Sequence, residues 1–82
     1  MGFTRHVKVR NEKFGSVIFE TLKEKVYVSN QPGADILKLL GENKTEDEIV
    51  NLLAKKYAGD PVTVKNDVKE YISGLKQNNL IA

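Results

Sequence analysis

The sequence predicts an α+β fold in which a three-stranded antiparallel sheet comes first and three helices follow. Two observations carry this. As far as Ser29, the apolar residues sit in short runs rich in β-branched and aromatic side chains, which suit a pleated surface. From Pro32 onward they recur at three- and four-residue spacing, the mark of helices with one buried face. The change falls inside Lys25–Leu40, KVYVSNQPGADILKLL, where Val26, Tyr27 and Val28 end a strand and Ile36, Leu37 and Leu40 share a helix face. Asn30 is the expected cap of that helix, Pro32 fits its first turn, and Gly41 is its expected stop.

Phe3–Arg10 alternates, with Phe3, Val7 and Val9 on one parity, so a first strand is expected near Val7–Arg10. Asn11–Gly15 reads as a turn. Ser16–Thr21 reads as the second strand, with Val17, Ile18 and Phe19 apolar on both parities, and Lys25–Ser29 as the third. Short links between the three make a meander the simplest topology. Helices are expected near Pro32–Leu40, Glu46–Ala58 and Pro61–Gln77. The second opens on a capping box, Thr45 with Glu48, and carries acids in its first turn and Lys55 and Lys56 in its last. Its expected buried face is Ile49, Leu52, Leu53 and Tyr57, with Gly59 ending it. The third has Val64, Val68, Tyr71 and Leu75 as its stripe, and Gly74 weakens it by about 1 kcal/mol relative to Ala. Leu80 and Ile81 are expected to fold back as a plug. The expected core is Val17, Phe19, Ile36, Leu40, Ile49, Leu52, Leu53, Val68, Tyr71 and Leu75.

At 82 residues the expectation is one domain, 1–82, with a single small core. There is no cysteine, so disulfides and thiolate chemistry are excluded. No apolar run approaches the roughly 18 residues of a membrane span, and no signal-peptide pattern opens the chain, so no membrane contact and a cytoplasmic location are expected. The net charge is only +2, with Arg5, Lys8, Arg10, Lys13, Lys23 and Lys25 gathered near the start. That balance permits an acidic peptide partner and speaks weakly for nucleic acid.

Catalytic chemistry finds no constellation. The one histidine, His6, has no partner in the sequence, no nucleophile elbow or phosphate-binding glycine loop is present, and no cofactor or metal is expected. Glu46, Asp47 and Glu48 are consecutive and so do not share a helix face; helix capping accounts for them better than a metal. Tyr57 and Tyr71 read as core residues with a wet tip. On the third helix Lys65, Lys69, Ile72 and Lys76 recur at i, i+4, i+7 and i+11, one residue round from the core stripe. This basic band is either a solvated flank whose lysine stems cover the core, or one wall of a groove for an extended acidic and apolar peptide.

Taken together, Val7-Lys8-Val9-Arg10, Val26-Tyr27 leading to Asn30, Gly33-Ala34 with Ile36-Leu37 and Leu39-Leu40, Thr45 with Glu48-Ile49, Leu52 and Tyr57, then Asp67-Val68, Tyr71-Ile72 and Leu75, resemble the PqqD family and the PqqD-like recognition elements of ribosomal-peptide biosynthesis. The resemblance covers about residues 7–81. Ser29 departs from it, since the family usually has a leucine before the asparagine. What the resemblance implies is a winged-helix-like fold, with three N-terminal strands on a three-helix bundle and no catalytic activity. Its role would be to bind the leader segment of a precursor peptide and present it to a modifying enzyme, often a radical S-adenosylmethionine protein. The leader would add as a strand to Lys25, Val26, Tyr27, Val28 and Ser29 and lie against the third helix, here the face with Lys65, Lys69, Ile72 and Lys76.

The alternative is a winged helix-turn-helix DNA binder. Against it, arginine is absent after Arg10, the third helix carries Asp67 and Glu70, and only five residues follow Gln77, too few for a C-terminal wing. No nucleic acid is therefore expected as a partner.

Overall fold

The computed structural model describes residues 2–81, so Met1 and Ala82, the two ends of the expected 1–82 domain, lie outside the described residues. Alternation makes three strands, β1 (Val7–Glu12), β2 (Gly15–Glu20) and β3 (Lys25–Asn30), in one antiparallel sheet of order β1-β2-β3. The register lines up Val9, Ile18 and Tyr27 on the face turned to the helices. Lys8, Phe19 and Val26 form a row on the other face, beside Arg10, Val17 and Val28. No helix covers that outer face fully: Phe19 is half-buried, with the Arg10 guanidinium 5.4 Å from its ring centre. Phe19 therefore stands outside the core in which it was expected, and Ile18 takes that place.

Three helices follow, α1 (Gln31–Gly41), α2 (Glu46–Lys56) and α3 (Pro61–Gln77). The expected caps are present. Asn30 Oδ1 accepts from Gly33 N at 3.0 Å. Thr45 Oγ1 accepts from Glu48 N at 3.2 Å while Glu48 Oε1 accepts from Thr45 N at 3.0 Å. Those bonds hold the Glu48 carboxyl below its ordinary pKa. The helix stops differ from expectation. The left-handed residues are Asn43 (φ 62°) and Ala58 (φ 50°) rather than Gly41 and Gly59. The closing bonds from Lys44 N to Leu39 O and from Gly59 N to Ala54 O place the left-handed turn one residue before each donor.

The core joins Ile18 of β2 to Ile36, Leu37 and Leu40 of α1, Ile49, Val50 and Leu53 of α2, and Val68, Ile72 and Leu75 of α3. Leu80 and Ile81 close it as the expected plug, held by Thr4 N donating to Leu80 O at 3.0 Å and by a bridge between Phe3 and Ile81. Two further expectations fail on α2. Leu52 is 44% exposed because the helix turns Ile49, Val50 and Leu53 inward instead. Tyr57 is the C-cap residue, also exposed, and its hydroxyl donates to Asp35 on α1. Asp35 also accepts from Lys56 Nζ at 2.9 Å, tying α1 to α2. Burial would raise the Asp35 pKa, but the tyrosine hydroxyl and the ammonium group hold it below 3.8.

Two stability outcomes follow from this packing. Leu53→Ala is expected to cost about 2–5 kcal/mol by denaturant unfolding, and Leu52→Ala less than about 1 kcal/mol, because only the first opens a cavity. Gly15 has φ 152°, and a Cβ there would run into the carbonyl oxygen of Ser29. Gly15→Ala is therefore expected to lower stability by at least about 1 kcal/mol and to release the end of β3, read as faster amide exchange at Ser29 and Asn30.

Candidate functional site

β2 lies between β1 and β3, so one side of the β3 backbone has no strand partner among the described residues. Such an edge is a template for another strand. Along it Lys25, Val26 and Val28 are exposed, the two valines at 60% and 69%, while Tyr27 is half-buried and Ser29 is buried. The alternation follows from the register, which turns Tyr27 and Ser29 toward the helices and Val26 and Val28 away.

Between β3 and α3 runs an apolar cleft of about 230 Å³. Tyr27, Val28 and Ser29 line one wall, and Tyr71, Gly74 and Leu75 the other, with Ile18 and Leu80 among its remaining residues. The exposed side chains of Glu70 and Asn78 also line it. Its two walls are joined by a hydrogen bond between the hydroxyls of Ser29 and Tyr71. The join is tight because residue 33 is glycine: a Cβ there would lie 3.0 Å from the Tyr71 ring and 3.1 Å from Ser29 Cβ. Burial pushes the Tyr71 phenol above its ordinary pKa, and the bond to Ser29 only partly offsets that. Gly74, read in the sequence as a weak point of the helix, faces space: a Cβ there would meet nothing within 4 Å.

The structure does not bring the whole expected α3 set to this cleft. Lys65, Lys69 and Lys76 are exposed, and none of them lines it. Lys69, Ile72 and Lys76 border a separate concavity of about 480 Å³ with Glu46, Glu70 and Ser73, toward the start of α2. Ile72 is 3% exposed and belongs to the core, so Ile72→Asp would test folding before it tested binding. The physical reason is the phase of α3. Its buried line is Val68, Ile72 and Leu75, and Tyr71, Gly74 and Asn78, spaced i, i+3 and i+7, form the flank turned to β3. That spacing was available in the sequence. It was hidden because Tyr71 also fits the apolar stripe.

The side chain of His6 is exposed, and its backbone carbonyl accepts from Thr21 N at 2.9 Å. Among the described residues no group of three histidine or acidic side chains could hold a metal, and no helix is long and apolar enough to cross a membrane.

A three-stranded sheet followed by three helices, with a free sheet edge beside the last helix, is a small α+β fold of winged-helix-like architecture. Residues 15–81 match the sequence model of the family described as Coenzyme PQQ synthesis protein D (PqqD), and the chain belongs to that family. No curated protein matches it by sequence. Its structure is similar to that of TbiB1 in complex with the TbiA(beta) leader peptide, with 24% identity, 98% of this chain and 93% of that one covered, and a TM-score of 0.91. It is also similar to a lasso peptide synthetase B1 complexed with the leader peptide, at 17% identity, with 95% and 92% covered and a TM-score of 0.87. At these identities the likeness establishes the fold.

The hydroxyl pair that joins the two walls has a measurable signature. Tyr71→Phe is expected to cost about 0.5–1.5 kcal/mol, because the buried Ser29 hydroxyl loses its partner. Its phenol ionises above 10.0 in the folded protein and near 10.0 when unfolded, so stability is full below that pH and is lost as pH rises through the folded value. Urea titrations at about pH 8 and about pH 11 are expected to show a smaller alkaline loss in Tyr71→Phe than in the parent protein.

Proposed function

We propose that this chain binds the leader segment of a ribosomally made precursor peptide and presents it to a peptide-modifying enzyme, a radical S-adenosylmethionine protein being the favoured class. The observation that carries the reading is the open edge of β3 beside an apolar cleft walled by α3. Membership of the PqqD family supports it, as do two solved structures of the same fold, each a complex with a leader peptide. The physics is strand addition. Backbone bonds along Lys25, Val26, Tyr27, Val28 and Ser29 supply affinity, and alternate side chains of the leader enter the cleft and supply specificity. The cleft side of α3 contributes Tyr71, Gly74 and Asn78. Lys65, Lys69 and Lys76 flank the site without lining it, and any charge contact they make is exposed and screened by salt.

The chain acts in this reading as one recognition domain of the cytoplasm, without turnover, cofactor or nucleic-acid partner of its own. DNA binding finds no support in the cleft, whose one charged lining residue is Glu70.

The test is chemical-shift mapping. Synthetic peptides covering the N-terminal segments of short precursor peptides encoded beside this chain are titrated into labelled protein. The largest perturbations are expected on Lys25–Ser29 and on Tyr71–Asn78. Perturbations confined to Glu46–Tyr57 would overturn the site, and no binding by any of these leaders would overturn the function.

A further inference from the structure

The chain is basic overall, yet the cleft beside β3 has no cation in its walls. Glu70 is the only charged side chain that lines it. Among the described residues Glu70 enters no ion pair; those that form are Arg10 with Glu12 and Lys56 with Asp35. Nor does its own helix supply a partner. The positions three and four residues away, where a cation would reach it, hold Asn66, Asp67, Ser73 and Gly74. Asp67 adds a second negative charge one turn back. Glu70 is exposed, so its carboxylate is within reach of a ligand, and a pair formed there is modest and screened by salt.

The surroundings favour a long basic side chain. Gly74, one turn on from Glu70, leaves open space where any other residue would put a Cβ. The Tyr71 ring stands next to it on the same wall. An aliphatic stem can lie over Gly74 against that ring while the charged head reaches Glu70, which is how lysine and arginine cover apolar surface. Glu70 also borders the other concavity of α3, together with Lys69 and Lys76, but pairs with neither among the described residues. With a screening length of about 8 Å at physiological salt, the contact charge inside the cleft outweighs the net charge of the molecule.

We infer that the leader accepted by this cleft carries a lysine or arginine on its inward face beside Glu70, so that the strand recognised is apolar and basic. This deepens the strand-addition reading and rests on it. It also reverses the acidic partner that the net charge and the band on α3 suggest. The geometry asks for one such residue, on the parity of the leader that faces α3, and leaves the outward parity unconstrained.

The experiment uses the synthetic leader that maps to β3 in the titration above, resynthesised with each inward position replaced in turn by Lys, Gln and Glu. Affinities are read by fluorescence anisotropy against the parent protein, Glu70→Gln and Glu70→Lys; the exposed position makes both variants expected to fold. At one position Lys is expected to bind about two- to fivefold tighter than Glu, with the gap closing in high salt. Glu70→Gln is expected to erase the gap, and Glu70→Lys to invert it. A Glu preference, equal binding at every inward position, or a Lys preference that Glu70→Gln leaves intact would overturn the inference while strand addition stood. Failure of every leader to perturb β3 would overturn the reading beneath it.

Discussion

The structure depends on one residue ending a strand and starting a helix with nothing between. Asn30 pairs with Gly15 as the last residue of β3, and its side chain caps α1 three residues on. A cap of this kind contributes about 1 kcal/mol, but its larger effect is geometric. With no loop residue to absorb a change of direction, α1 leaves the sheet at an angle fixed by β3 itself. Moving the helix moves the edge. Two glycines allow close packing at the Ser29 end of the strand: Gly15 lies against the carbonyl of Ser29, and Gly33 against the side chains of Ser29 and Tyr71. The two walls of the cleft meet there through the Ser29 and Tyr71 hydroxyls.

The helices meet this frame by unequal means. α3 packs through a continuous line of Val68, Ile72 and Leu75 and is capped by Asp60, whose carboxylate accepts from Val62 N at 3.2 Å. α2 packs through Ile49, Val50 and Leu53 and adds its capping box and the Asp35 contacts with Lys56 and Tyr57. Those contacts are polar and lie at the surface, so α1 and α2 are joined there by interactions that weaken in acid, once Asp35 is protonated. The join between β3 and α3 weakens instead in alkali, through Tyr71. Acid therefore acts on the α1–α2 join alone of these two, while alkali acts on both, since Tyr57 and Lys56 also donate to Asp35 through protons they lose at high pH.

The element order, the caps and the terminal plug were legible because each has a local signal: the change of period near Pro32, the Thr45–Glu48 spacing, two apolar residues after the last helix. The face of α1 was legible too, in Ile36, Leu37 and Leu40, but the rotation of α2 and of α3, each about its own axis, was not. On α2, Leu52 and Val50 both fit a helical stripe around Ile49 and Leu53, and only tertiary packing chose Val50. On α3, Tyr71 fits the stripe and Ile72 fits a neighbouring one, and the sheet decided between them. A rotation of one residue is about 100° of helix, enough to exchange a core position for a groove position. That is why the β3 wall of the cleft could be anticipated and its α3 wall could not: a strand edge is defined by sheet order, a helix flank by what packs beneath it. The resemblance to the PqqD family pointed to β3 and the third helix, and the packing decides which side of α3 faces the strand.

The unpaired edge has a consequence for the protein on its own. Val26 and Val28 stand exposed on a strand whose outer backbone edge has no strand partner among the described residues. Lys25 at the start of the strand is a charge that discourages another copy from pairing there. An extended segment that occupies the edge saturates the same main-chain groups through which copies would associate. Colloidal behaviour and occupancy are thereby tied to one six-residue strip of backbone, and the empty protein is the form in which that strip is a liability.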